Sequence, residues 1–160
     1  EDFETMLGVV KTDKEFVNKL LQTNLVKKTT NFKEHSIEVQ LPFLQLANKD
    51  ELNKIQIVPI ICPTTNNYKE LAEEITNISK DIIVIISSDL THYGVKFGYT
   101  PFKFNIEQSI KDLDKNAITL IMSYDSDEFL KYIKKTRATI CGQHPIALGI
   151  EILKKISNSK

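Results

Sequence analysis

Hydrophobic residues recur along most of this chain at the three- and four-residue spacing of amphipathic helices. This periodicity predicts helices over residues 13–23, 36–47, 67–80, 106–121, from 125 onward and 142–156. Residues 54–62 and 81–87 are instead runs of β-branched residues, which favour strands. The second run is apolar almost throughout, as in a strand covered on both faces. The alternation of helices and strands predicts a single α/β domain over residues 1–160.

Prolines and cap signals refine these boundaries. Pro42 lies inside the second predicted helix and predicts a kink or an interruption there. Pro59 predicts an edge position or a bulge late in the first strand. Thr12 and Glu15 have the spacing of a capping box, which starts the first helix. Two strands make a thin sheet, so we expect further strands from a short segment such as residues 6–10, or from sequence outside this chain.

Composition and charge argue against several classes of protein. The chain is 41% hydrophobic and 26% charged, which is typical of globular domains. Its 21 basic and 21 acidic residues cancel, which argues against a nucleic-acid partner or an anionic membrane. No apolar stretch approaches the roughly 18 residues of a membrane-spanning helix. Cys62 and Cys141 form no disulfide framework, so we expect reduced thiols and a cytoplasmic location, with Cys62 structural.

A polar segment at residues 87–94 directly follows the second predicted strand. Ligands of open α/β sheets bind beyond the carboxyl ends of the strands. Asp89 and His92 lie there, and a histidine can ligate metal or move protons near neutral pH. A loop in which Asp89 caps main-chain amides is equally consistent with the pattern. The chain has neither a Gly-x-Ser-x-Gly nucleophile elbow nor a Gly-rich phosphate loop, which disfavours a serine hydrolase or a nucleotide-binding protein.

Two further segments carry candidate ligands. Cys141 precedes the last predicted helix, whose N-terminus favours a thiolate that could bind metal or attack an electrophile. The alternative is a buried cysteine that packs as a small hydrophobe. Cys141 and His144 alone give a weak metal signal, because structural zinc usually takes four ligands. His35, between Glu34 and Glu38, suits either a helix cap or a site. We expect the loop carrying His92 to meet the start of the last helix, with its imidazole close to the sulfur of Cys141.

Three of these segments together resemble the Memo family (mediator of ErbB-driven cell motility). They are EHSIEVQLPF at residues 34–43, SSDLTHYG at 87–94 and TICGQHPI at 139–146. They occur in the family's order and at similar spacing, over nearly the whole chain. The resemblance implies an α/β fold with a mixed sheet flanked by helices, similar to the C-terminal half of the catalytic subunit of a class III extradiol dioxygenase.

The same resemblance implies a pocket that holds iron or copper. Carried over to this sequence, Cys141 and His92 are the expected metal ligands. Asp89, His92 and His144 are the expected catalytic residues, and His35 is expected to support cofactor binding. The family's N-terminal half supplies two more pocket histidines and has no counterpart in these residues. We therefore expect no occupied high-affinity metal site in this chain alone, because one thiolate and one imidazole bind metal weakly.

The resemblance leaves three kinds of function open. The first is a metal-dependent oxidoreductase of dioxygenase type, although a thiolate ligand departs from the usual site of two histidines and one carboxylate. The second is a non-catalytic signalling module that binds a peptide or protein partner, and the third is a metal-handling protein. Without the family's neighbouring strands, an exposed sheet edge predicts a homodimer or larger homo-oligomer.

Overall fold

Helices and strands both occur in the computed structural model, which describes residues 2–29, 35–62 and 67–157. The helices of the described residues are α1 Lys14–Gln22, α2 Leu41–Ala47, α3 Tyr68–Ile78, α4 Ile106–Met122, α5 Ser126–Thr136 and α6 Gln143–Ser157. The strands are β1 Phe3–Thr5, β2 Gly8–Thr12 and β3 Gln56–Ile57. This confirms the predicted α/β class. The chain divides into two compact units, residues 1–61 and 62–160. No helix within the described residues is long and apolar enough to cross a membrane.

The first unit contains a three-stranded mixed sheet in the order β1-β2-β3. β1 and β2 pair antiparallel, and β3 adds to β2 in parallel, with Lys11 opposite Gln56. The side chain of Gln45, only 1% exposed, ties α2 to the β1–β2 turn. It donates to the carbonyl oxygen of Gly8 at 3.0 Å and accepts from Thr5 Oγ1 at 2.6 Å. A buried amide is tolerated here because both of its ends are hydrogen-bonded.

Helix boundaries follow the sequence except around α2, and α1 differs from prediction only in its cap. Asp13, and not Thr12, caps α1, because its carboxylate accepts the N–H of Phe16 at 2.8 Å. The single helix predicted over 36–47 is instead a 3-10 turn at Glu38–Gln40 followed by α2. Pro42 lies in the first turn of α2, where its missing N–H costs no hydrogen bond. The predicted interruption at Pro42 thus becomes the start of a separate helix.

Strand predictions in the apolar runs were largely wrong. The strand predicted over 54–62 shortens to Gln56–Ile57, at the edge of the sheet. The strand predicted over 81–87 does not form: none of these residues is in a strand, and no other described residue pairs with them in a ladder. Ile83 is 91% exposed and Ile85 56% exposed, so only one face of this run is covered. An apolar pattern reports burial of side chains, but it does not supply the neighbouring strand that a sheet requires.

The second unit packs α3, α4, α5 and α6 around an apolar core. α6 lies against both α3 and α5, and α4 packs on α5. The core residues are Tyr99, Leu113, Ala117, Phe129, Ile133, Ala138, Ile140, Ile146 and Ile150. The 82–87 run covers α6 where Gly149 leaves room, since a Cβ there would lie 2.3 Å from Ile86 Cδ1. Ile140 is the core residue directly before Cys141, so the core fixes the position of Cys141.

Candidate metal centre

Cys141 is placed at the surface by the alternation of an extended segment. Ala138 and Ile140 are 3% and 1% exposed and point into the core. Thr139 and Cys141 consequently face the opposite side, because side chains alternate along extended backbone. The hydroxyl of Thr139 donates to the carbonyl oxygen of His92. This bond joins the segment that carries Cys141 to the loop that carries His92.

The loop that carries Asp89 and His92 is anchored at two further points. The main-chain N–H of Thr91 donates to Asp114 Oδ1 on α4 at 3.1 Å. Gly94 and Tyr99 exchange two main-chain hydrogen bonds, of 2.8 and 3.2 Å. Gly94 has a φ of 126°, a conformation that residues with a Cβ rarely adopt. These contacts attach the loop to α4 and to the main chain of Tyr99.

Three side chains of different chemistry converge between the two segments. A carboxylate oxygen of Asp89, a ring nitrogen of His92 and the Sγ of Cys141 all lie within 4.8 Å of one another. His92 Nε2 is 3.3 Å from Asp89 Oδ2. Asp89 and Cys141 are exposed and His92 is half-buried, so solvent and small ligands reach the group. The expected proximity of the His92 imidazole and the Cys141 sulfur is confirmed.

The sulfur and the imidazole each have a contact that fixes their position. The main-chain N–H of Asp89 donates to Cys141 Sγ at 3.1 Å. The ring of Phe97 meets the His92 ring edge-on, with the centroids 4.9 Å apart. Lys96 Nζ lies 5.7 Å from the centroid of the Phe97 ring. Sequence analysis missed Phe97, because it lies in a short 3-10 turn without periodic signal.

His144 lies outside this group of three and has a different partner. Its Nδ1 is 2.6 Å from the hydroxyl of Tyr68, and the two rings are stacked at 17°. Burial lowers the pKa of His144, so its ring is neutral near pH 7. Tyr68 was missed because it precedes His144 by 76 residues and starts a helix with no special motif. The catalytic role expected for His144 stays a prediction.

His35 and Cys62 complete the sequence-predicted residues. His35 belongs to the first unit and is exposed, and its carbonyl oxygen accepts the N–H of Val39 at 3.1 Å. Its neighbour Glu34 lies outside the described residues. The expected role of His35 in cofactor binding stays a prediction. Burial raises the pKa of the Cys62 thiol, which keeps it protonated at neutral pH and suits the structural role expected for it.

The fold and the site together define an α/β protein with a candidate metal-binding group of one thiol, one imidazole and one carboxylate. Comparison with known proteins identifies the family: a sequence model of the Memo-like protein family matches residues 1–160, and the chain belongs to that family.

Curated relatives come from archaea and animals. A MEMO1 family protein of Pyrococcus horikoshii is 30% identical over 158 residues, which is 91% of this chain and 54% of the relative. Protein MEMO1 of Xenopus laevis is also 30% identical, over 91% of this chain and 52% of its own length. Protein MEMO1 of Rattus norvegicus is 27% identical, over 98% of this chain and 56% of its own length. The chain thus spans about half the length of the relatives that it matches.

Proposed function

We propose that Asp89, His92 and Cys141 form part of a pocket that binds iron or copper in a redox-active protein. The observation that carries the proposal is the convergence of their three donor atoms within 4.8 Å. Membership of the Memo-like family supports it, because the family resemblance implies a metal pocket built from these segments.

The donor set fits such an ion chemically. A thiolate suits soft metals, and an imidazole suits iron, copper and zinc alike. The carboxylate adds a harder ligand and negative charge. Three protein donors leave coordination positions open, in the manner of catalytic rather than structural sites. Three donors also bind less tightly than four or five, so we expect weak binding by this chain alone.

Each residue has a defined task in this proposal. Cys141 releases its thiol proton when metal binds, since only the thiolate is a strong ligand. Asp89, whose side chain is 81% exposed, offers a carboxylate oxygen beside the His92 ring. Phe97 restricts the rotation of the His92 ring. A bound iron or copper ion would supply one-electron redox chemistry. Aromatic ring cleavage is not proposed, because the ligand set lacks the second histidine of the usual site.

Titration with Co²⁺ tests the proposed ligands, since ligation by a thiolate gives cobalt an intense near-ultraviolet band. We expect the band in the parent chain with excess Co²⁺, its loss in Cys141→Ser, and its retention in the control Cys62→Ser. His92→Ala should weaken the binding at least tenfold. A parent chain that gives no thiolate band at any Co²⁺ concentration would contradict the proposed pocket.

Oxygen uptake then separates the candidate functions. The chain is loaded with Fe²⁺ or Cu⁺ in the presence of a reductant, with and without Cys141→Ser. Turnover that Cys141→Ser abolishes supports the oxidoreductase. Metal binding without turnover in either form supports a metal-handling protein instead. A chain that binds no metal and takes up no oxygen would favour the signalling module.

A further inference from the structure

Ser88 occupies the junction between the two segments that carry the three donors. Its Oγ accepts the main-chain N–H of Gly142 at 2.9 Å. The same hydroxyl donates to the carbonyl oxygen of Asp89 at 2.9 Å. It also lies 3.8 Å from Cys141 Sγ. One hydroxyl therefore contacts the residue after the cysteine, the cysteine itself and the aspartate.

The absence of a side chain at Gly142 leaves the space that the Ser88 side chain occupies. Gly142 is buried, and a Cβ on it would lie 2.3 Å from Ser88 Cβ and 2.4 Å from Ser88 Oγ. Only a glycine lets the backbone at residue 142 approach the serine this closely. The close approach places the Gly142 N–H within hydrogen-bonding distance of Ser88 Oγ.

We propose that Ser88 is a positioning residue that sets the distance between the Cys141 sulfur and the Asp89 carboxylate. The inference rests on the proposed metal pocket and extends it to a residue that is not itself a ligand. Ser88 acts through two groups: it holds the peptide of Cys141 and Gly142 from one side and the Asp89 carbonyl from the other.

The contact of the Asp89 main chain with the Cys141 sulfur explains how Ser88 affects the position of both candidate ligands. The N–H of Asp89 donates to Cys141 Sγ at 3.1 Å, so the orientation of the Asp89 main chain and the place of the sulfur are coupled. Without the Ser88 hydroxyl, the Gly142 N–H and the Asp89 carbonyl oxygen both lose a partner. Each group then turns toward water, and the two segments separate. Partners that orient ligands in this way typically affect metal affinity by about 10- to 100-fold.

Three variants test the proposal by Co²⁺ titration. Ser88→Ala removes the hydroxyl, and Ser88→Thr keeps it. Ser123→Ala is the matched control, because Ser123 Oγ also donates to a main-chain carbonyl oxygen, that of Leu120 at 2.7 Å, away from the candidate ligands. We expect Ser88→Ala to weaken Co²⁺ binding about tenfold or more and to shift the thiolate band at saturation. Ser88→Thr and Ser123→Ala should bind within about threefold of the parent and keep its band.

Equal binding by Ser88→Ala and the parent would overturn the proposal. So would an equal loss in Ser88→Ala and Ser123→Ala, or in Ser88→Ala and Ser88→Thr. Urea unfolding of the metal-free variants adds a measurement that needs no cobalt. A general loss of structure lowers the midpoint, whereas a positioning role changes the band with the midpoint nearly kept. A parent chain without any thiolate band defeats the metal pocket itself, an outcome distinct from the failure of Ser88.

Discussion

Neither Gly142 nor Gly149 has room for a Cβ atom, but the atoms that would collide with it differ. A Cβ at residue 142 would meet Ser88 Cβ at 2.3 Å and the Ser87 carbonyl oxygen at 3.1 Å, atoms that are close to the backbone. A Cβ at residue 149 would meet Ile86 Cδ1, the end of a flexible side chain, at 2.3 Å. The same substitution should therefore have different consequences at the two positions.

We expect Gly142→Ala to lower the free energy of unfolding by about 1–3 kcal/mol, as overpacked sites do. Gly149→Ala should lower the free energy of unfolding by clearly less. Ile86 can change rotamer, and alanine gains about 1 kcal/mol over glycine inside a helix. Urea denaturation of both variants measures the difference. A larger loss in Gly149→Ala than in Gly142→Ala would contradict this account of the two contacts.

The candidate ligands were predictable one residue at a time, whereas their supports were not. Asp89, His92 and Cys141 stood out because they have metal-binding side chains next to predicted element ends. The supporting contacts of Ser88 and Tyr68 were not predicted. Their roles come from partners 54 and 76 residues further along the chain, and no local pattern encodes such a pairing.

At the scale of elements, helices were predicted more reliably than strands. A helix satisfies its own hydrogen bonds, so local periodicity suffices. Helices α1, α3, α4 and α6 begin and end within two residues of prediction, and α5 begins within one residue of its predicted start. A strand is defined by a neighbour that the local sequence does not contain. Residues 82–87 have the composition of a central strand, yet no described segment pairs with them.

The contact between α3 and α6 leads to a prediction about pH. Burial lowers the pKa of His144 below its ordinary value of 6.5, so the unfolded chain binds this proton more readily than the folded chain. Its contribution to stability is thus complete above about pH 6.5 and is lost as the pH falls toward the lower, folded pKa. We expect the urea midpoint to decline below about pH 6.5 in the parent. His144→Gln should decline less steeply over the same range.

The hydroxyl of Tyr68 should contribute at neutral pH, where it shares a 2.6 Å hydrogen bond with Nδ1 of the neutral His144 ring. We expect Tyr68→Phe to lower the free energy of unfolding by about 0.5–1.5 kcal/mol, the usual contribution of one hydrogen bond. Tyr124→Phe is the control, since Tyr124 is 47% exposed. Equal pH profiles for the parent and His144→Gln, or equal losses in the two tyrosine variants, would contradict the proposed role of this pair.

At the scale of the whole molecule, we propose that the exposed apolar side chains of residues 82–87 in the second unit form a surface for association. Ile83 and Ile85 are 91% and 56% exposed on an extended segment with no strand partner among the described residues. Unpaired extended backbone with apolar side chains invites pairing with another chain. This is the physical basis on which we propose a homo-oligomer.

Sedimentation velocity tests the association. We expect the parent to form dimers or larger species as its concentration rises, and Ile83→Lys to remain monomeric over the same range. Met122→Lys is the matched control: it introduces the same charge at an apolar residue that is 73% exposed on α4, outside the run. A parent that stays monomeric, or two lysine variants that behave alike, would count against association through residues 82–87.

The central claim is that Asp89, His92 and Cys141 bind one metal ion together, and an anomalous difference map of Zn²⁺-soaked crystals tests it most directly. We predict a single strong peak at about 2.3 Å from Cys141 Sγ and about 2.0–2.1 Å from a His92 ring nitrogen, with an Asp89 oxygen completing the protein ligands. A map with zinc bound only elsewhere on the chain, or with no peak between these three side chains, would contradict it.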